Sequence, residues 1–135
     1  MYFSIKGVLV EKKPTLIIIE NNGICYEIHI SLETSKKLGK IEETINIFTY
    51  LYVKEDVFCL YGFYDLMEKE LFLKLINVSG IGPKMALSLL SSAPVVQIIS
   101  MIKNENMKGL CALPGIGKKT AGRLVLELRG PLAKL

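Results

Sequence analysis

Cysteine and histidine are scarce in this 135-residue chain, which holds three Cys and one His. Cys25, Cys59 and Cys111 are odd in number and widely spaced. They form no CxxC pair, which argues against a disulfide framework. Each reads as a small core residue rather than a working thiol. With His29 as the sole imidazole, the expectation is a metal-free, cofactor-free protein of a reduced, cytoplasmic compartment. An uninterrupted apolar segment is also lacking at the N-terminus, where Lys6 and Glu11 occupy what would be a signal core. Met85 to Ile102 is uncharged and about long enough to span a bilayer. It carries four serines and Gln97, and Pro94 splits it. Two short buried helices are expected there, and no membrane partner.

Half of the residues are hydrophobic and 22% are charged, so the chain folds as one domain or two very small ones. The net charge of +4 is unevenly placed. Residues 1–63 hold seven Lys against eight Asp and Glu, a net of −1. Residues 64–135 hold eight Lys and two Arg against five carboxylates, a net of +5. A basic back half points to a polyanionic partner. The aromatics divide at the same place, because only Phe72 lies beyond Tyr64.

Residues 1–63 read as β. A β-branched run, Thr15 to Ile19, lies between Pro14 and the turn sequence Asn21-Asn22-Gly23. Ile24, Tyr26, Ile28 and Ile30 then alternate with Cys25, Glu27 and His29, the period of a half-buried strand. A short helix fits Leu32–Leu38. A long strand follows, with Ile45, Ile47, Thr49, Leu51 and Val53 on one face and Phe48, Tyr50 and Tyr52 on the other. Lys54-Glu55-Asp56 interrupts it, and Val57–Phe63 resumes it. About five strands and one short helix suggest a closed OB-fold barrel. From residue 64 the period becomes helical. Asp65 and Glu68 form a capping-box pattern, and further helices fit Pro83–Leu90, Pro94–Ile102, Glu105–Cys111 and Lys118–Leu128. The fold class is thus β followed by α in two domains, 1–63 and 64–135.

The helical half repeats itself. Gly80-Ile81-Gly82-Pro83-Lys84-Met85-Ala86 matches Gly115-Ile116-Gly117-Lys118-Lys119-Thr120-Ala121, and Leu75, Val78 and Leu89 match Leu110, Leu113 and Leu124 in the same register. Each copy is a helix, a Gly-Ile-Gly turn and a second helix. The glycines let the backbone turn sharply and lie close to a ligand. The isoleucine can anchor the turn. The second helix opens with unpaired N–H groups and the positive end of its dipole, which together form a phosphate site. Lys84, Lys118 and Lys119 fall in the first helical turns, where positive charge opposes the dipole. An anion would offset that cost.

Other readings of these residues fail or stay secondary. A nucleotide P-loop ending at Gly117 would need Gly at Ala112 and Ser or Thr at Lys119. A DNA glycosylase would place an Asp beyond the second hairpin, where only Glu127 stands. The carboxylates form no recognisable metal-nuclease cluster. Phe48, Tyr50 and Tyr52 have the spacing of a base-stacking platform, but a barrel core or subunit interface needs the same period.

The paired segments resemble tandem helix–hairpin–helix motifs, which bind DNA backbones without reading sequence. With a preceding barrel, and with Val53-Lys54-Glu55-Asp56 ahead of Leu60-Tyr61-Gly62-Phe63, the whole chain resembles the RuvA family of bacterial Holliday-junction DNA-binding proteins. The resemblance implies a non-catalytic protein in which four copies form a square platform for four-way junction DNA, with tetramer against octamer left open. It implies phosphate clamps at Gly80, Gly82 and Lys84, and at Gly115, Gly117, Lys118, Lys119 and Thr120, with Arg123 one turn further on. It makes Glu55 and Asp56 an acidic pin that repels phosphates at the crossover. It implies the RuvB ATPase and the RuvC resolvase as partners, in branch migration and recombinational repair. Two class alternatives stand beside it: a hairpin module tethering a repair enzyme to duplex DNA, and an OB-type single-strand binder. The chain departs from the family pattern in stopping at Leu135, after Gly130-Pro131; the expectation is either a truncated chain or one that lacks the third domain that contacts RuvB, which puts that contact in doubt. It is also poor in Arg, so its contacts are point charges rather than forks.

Overall fold

A computed structural model describes all 135 residues, which divide into two compact units, Met1–Lys69 and Glu70–Leu135. The first contains five strands: β1 (Ser4–Lys12), β2 (Leu16–Asn21), β3 (Ile24–His29), β4 (Thr44–Lys54) and β5 (Val57–Phe63). They close into a barrel in the order β1-β2-β3-β5-β4. All neighbours are antiparallel except β3 and β5, which meet in parallel at His29 and Tyr61. Helix α1 (Leu32–Lys37) connects β3 to β4.

Local chemistry fixes this register. Asn22 and Gly23 both take positive φ, 50° and 86°, so the β2–β3 hairpin closes with a two-residue primed turn that pairs Asn21 with Ile24. Inward positions then fall on Ile17, Ile19 and Ile28, which join Ile5, Leu9, Ile30 and Ile47 in the barrel core. On β4, Ile47 and Thr49 are buried, while Phe48, Tyr50 and Tyr52 are half-buried. Phe48 packs edge-on against Phe3, and Tyr52 edge-on against Tyr61. Those rings are engaged with other rings of the barrel. One expectation fails here. Cys25 is exposed rather than a core residue, because it sits at the outward phase of β3 with Glu27 and His29; Cys59 and Cys111 are half-buried.

Helix α2 (Leu66–Ile76) begins in the first unit and ends in the second. Its start is fastened within the first, where the Asp65 carboxylate accepts from the Glu68 N–H at 2.9 Å. The second unit continues with α3 (Pro83–Ser92), α4 (Val95–Lys103), α5 (Met107–Cys111) and α6 (Lys118–Leu132). No single helix is long and apolar enough to cross a membrane, and α3 and α4 meet at a 102° bend. Several boundaries differ from the sequence reading: α3 runs two residues past Leu90 to Ser92, α4 is shifted by one residue at each end, and α5 and α6 differ more informatively. Glu105 has φ of 52°, and Asn106 caps α5 by accepting from Gly109 N–H at 2.9 Å, so α5 opens at Met107. Helix α6 runs through Gly130-Pro131 rather than ending before it. Pro131 lies in the last turn, where only the Glu127 carbonyl loses its helical donor.

Candidate nucleic-acid interface

The two Gly-Ile-Gly turns are the same structure built twice. Val78 N–H donates to Leu75 O, Ile81 to Val78, and Ala86 to Gly82, at 3.0, 3.0 and 2.9 Å. The corresponding bonds of the second copy are Leu113 to Leu110, Ile116 to Leu113, and Ala121 to Gly117, at 3.1, 3.2 and 2.9 Å. Ile81 and Ile116 are buried at 4% and 5% exposure. Each therefore pins its turn to the core while the flanking glycines stay outside.

The glycines of each pair have different tasks. Gly80 and Gly115 take φ of 92° and 75°, which ordinary side chains resist. Gly82 and Gly117 are extended, at φ −95° and −94°, a conformation open to any residue. A Cβ at either would meet nothing within 4 Å. The chain itself therefore gives no steric reason for glycine there. What remains is glycine's modest preference as a helix cap and the space outside, at the N-termini of α3 and α6.

Those N-termini differ electrically from most others in the chain. Ser31 caps α1 and Asn106 caps α5 with side-chain oxygens, and Asp65 does so for α2. Gly82 and Gly117 provide no cap, and no acidic residue stands in either first turn. Lys84, Lys118 and Lys119 stand there instead, exposed and outside every ion pair of the chain. Thr120 is half-buried in the same turn. Positive dipole ends, uncapped amides and ammonium groups coincide twice, which is an arrangement for anions.

Arg123 is half-buried, and its Nη1 donates to the Ser79 carbonyl at 3.3 Å. The guanidinium of the second hairpin is thus held at the first hairpin's turn. Glu55 and Asp56 form the tip of the β4–β5 hairpin, one step beyond the Lys54–Val57 pair. Both are exposed and neither makes an ion pair. Nearby on the same hairpin, Phe58 is 75% exposed opposite Val53. No group of three or more His, Cys, Asp or Glu side chains could hold a metal.

Residues 1–62 match the family described as the RuvA N terminal domain. Residues 72–129 match the SAM-like helix-hairpin-helix tandem. The chain thus carries the RuvA N-terminal domain in its first 62 residues, followed by a helix-hairpin-helix tandem. It is 45% identical over 130 residues to the Holliday junction branch migration complex subunit RuvA of Marinomonas sp. (strain MWYL1), covering 96% of this chain and 65% of that protein. It is 41% identical over 125 residues to the protein of the same name from Pseudomonas putida (strain W619), covering 93% and 61%. A Pectobacterium carotovorum relative of that name is 42% identical over the same shares. The chain thus spans about three fifths of the length of the curated RuvA proteins it matches.

Sequence reasoning located the RuvA-type turns but missed two residues beside them. Met85 reaches across to Gly115, and Ser79 supplies the carbonyl that holds Arg123. The available clue was where the repeat breaks. At the shared register Met85 stands against Thr120, and Ser88 against Arg123.

Proposed function

We propose that this chain is a sequence-independent, non-catalytic binder of four-way DNA junctions, working as a homotetramer, with RuvB as its motor and RuvC as a further partner in the bacterial cytoplasm. The observation that carries the reading is the pair of uncapped helix N-termini behind Gly82 and Gly117, open on the outside and lysine-bearing. Backbone amides and lysines at such sites bind phosphate oxygens and ignore base identity. That suits a protein through which any sequence must pass. Gly80, Gly82 and Lys84 form one clamp, and Gly115, Gly117, Lys118, Lys119 and Thr120 the other. The two clamps hold the two strands of one arm.

The exposed Glu55 and Asp56 act oppositely. Carboxylates repel phosphates. Four subunits bring eight of them to the crossover, where they disfavour stacking of the arms and separate the strands.

A competition gel shift tests the reading. A four-way junction should displace labelled junction far better than linear duplex of equal length. Parity with duplex would instead make the chain a tethering module, and preference for single strands would make it an OB-type binder. Glu55→Gln with Asp56→Asn should reduce the junction-over-duplex preference, and an unchanged preference would remove the pin.

A further inference from the structure

We infer that Arg123 and Met85 form a reciprocal brace that sets the spacing of the two clamps, so that the site measures the distance between the strands of a duplex. The inference rests on the clamp reading above and adds the device that makes two clamps into one ruler.

The positive-φ glycine of each turn is approached by a side chain of the other hairpin. Arg123, on α6, donates to Ser79 O at 3.3 Å, and its Nη1 lies 3.5 Å from where a Gly80 Cβ would stand. Met85, on α3, reaches back with its Cε 3.0 Å from where a Gly115 Cβ would stand. The contacts therefore run in both directions, from α6 to the first turn and from α3 to the second. Arg123 spans 44 residues of sequence to do so.

The repeat is informative about which positions do this. Its two copies agree at the residues that build each turn: both glycines, the isoleucine, the alanine and the leucine beneath. They disagree at the two positions that touch the other turn. Thr120 replaces Met85 and Ser88 replaces Arg123 at the shared register. Neither replacement side chain has the reach of the residue it replaces. Both bracing residues thus stand at positions where the two copies differ, so each cross-hairpin contact is made from one copy only.

The planar guanidinium presents several donors in a fixed geometry, and one of them is directed to a main-chain carbonyl. Met85 contributes no charge and only fills space. Neither contact is needed to form a single clamp, since each turn has its own bonds and its own buried isoleucine. Both are needed if the second clamp must find its strand after the first has bound. Simultaneous engagement gains affinity only when the spacing matches the ligand.

The test measures a labelled duplex and one of its own single strands with the 135-residue chain. Met85→Ala should weaken duplex binding about ten-fold and leave single-strand affinity unchanged, because a single strand engages one clamp at a time. The resemblance sets Arg123 beside the second phosphate clamp; as a brace held on the Ser79 carbonyl it makes no phosphate contact, so Arg123→Met should weaken duplex binding similarly with the salt slope unaltered, and combined with Met85→Ala should add little. Equal loss on duplex and single strand, undiminished duplex affinity, or a salt slope lowered by about 0.9 in Arg123→Met overturns the brace. Lys84→Ala with Lys119→Ala separates the two readings. If these weaken duplex binding while the brace variants do not, only the brace is wrong. If the lysine variants have no effect, the clamps themselves fail.

Discussion

The Ser31 hydroxyl donates to the Glu68 carboxylate at 2.6 Å, tying the cap of α1 to the first turn of α2. Thr34 Oγ1 also donates to that carboxylate, and Tyr64 N–H does so at 3.1 Å. Glu68 is only 4% exposed, and no buried side-chain polar atom in the chain lacks a partner. A buried carboxylate persists only when it is satisfied this fully. Glu68→Gln replaces one acceptor by a donor facing groups that already donate. It should lower stability by about 1–3 kcal/mol in urea unfolding, while the salt slope of DNA binding stays unchanged.

Tyr61 gives the barrel an alkaline limit. Burial pushes its hydroxyl well above the ordinary value of 10.0, with Cys59 and Tyr52 adding to the rise. A group whose folded pKa is raised stabilises the fold fully below its unfolded pKa. That stability is lost as pH climbs from there toward the folded pKa. The barrel should hold constant stability to about pH 9 and weaken above pH 10. Tyr61→Phe should flatten that slope, as read by denaturant midpoints across the range. A slope unchanged in the variant would assign it to another group.

The two proposed clamps are chemically unequal. Pro83 opens α3 and has no N–H, whereas Lys118 opens α6 with both an amide and an ammonium. The second clamp also carries Lys119 where the first has only Lys84. Lys118→Ala with Lys119→Ala should therefore weaken duplex binding more than Lys84→Ala. Each lost phosphate contact should lower the slope of log K against log salt by about 0.9. Salt titrations of both variants check this. Equal losses would mean that the first turn makes up its missing donor elsewhere.

How far the sequence discloses this molecule follows from the range of the interactions involved. The Asn22-Gly23 hairpin, the Asp65 cap and the duplicated turns are local, so residues a few positions apart specify them. The Gly-Ile-Gly duplication also exposes the proposed clamps, because a repeat at fixed offset is visible without any knowledge of packing. Cys25 was misplaced because cysteine's general preference for cores was set above its phase, which it shares with the exposed Glu27 and His29 on β3. The start of α5 shifted because Glu105 takes a left-handed backbone that its residue type does not advertise. Helix α6 outran its expected end because a proline in a final turn removes little. Ser31–Glu68, Arg123–Ser79 and Met85–Gly115 join distant segments, and no local pattern encodes which side chain reaches which carbonyl.

The division of tasks between paired glycines predicts two opposite phenotypes. Gly80 and Gly115 hold positive φ, so Gly80→Ala or Gly115→Ala should cost about 1–2 kcal/mol of stability each through backbone strain. Gly82 and Gly117 are extended with open space around them, so Gly82→Ala and Gly117→Ala should fold normally. The loss of a favoured glycine cap would cost each at most about 1 kcal/mol. DNA binding should respond in the reverse order. A methyl at Gly82 or Gly117 occupies the place from which a phosphate reaches the uncapped amides, and the double variant should bind duplex more than ten-fold more weakly. Thermal unfolding and fluorescence anisotropy on the same samples separate the two effects. A stable Gly82→Ala, Gly117→Ala protein that binds as well as the parent would show that no backbone approaches these turns, and the clamps would lose their main support.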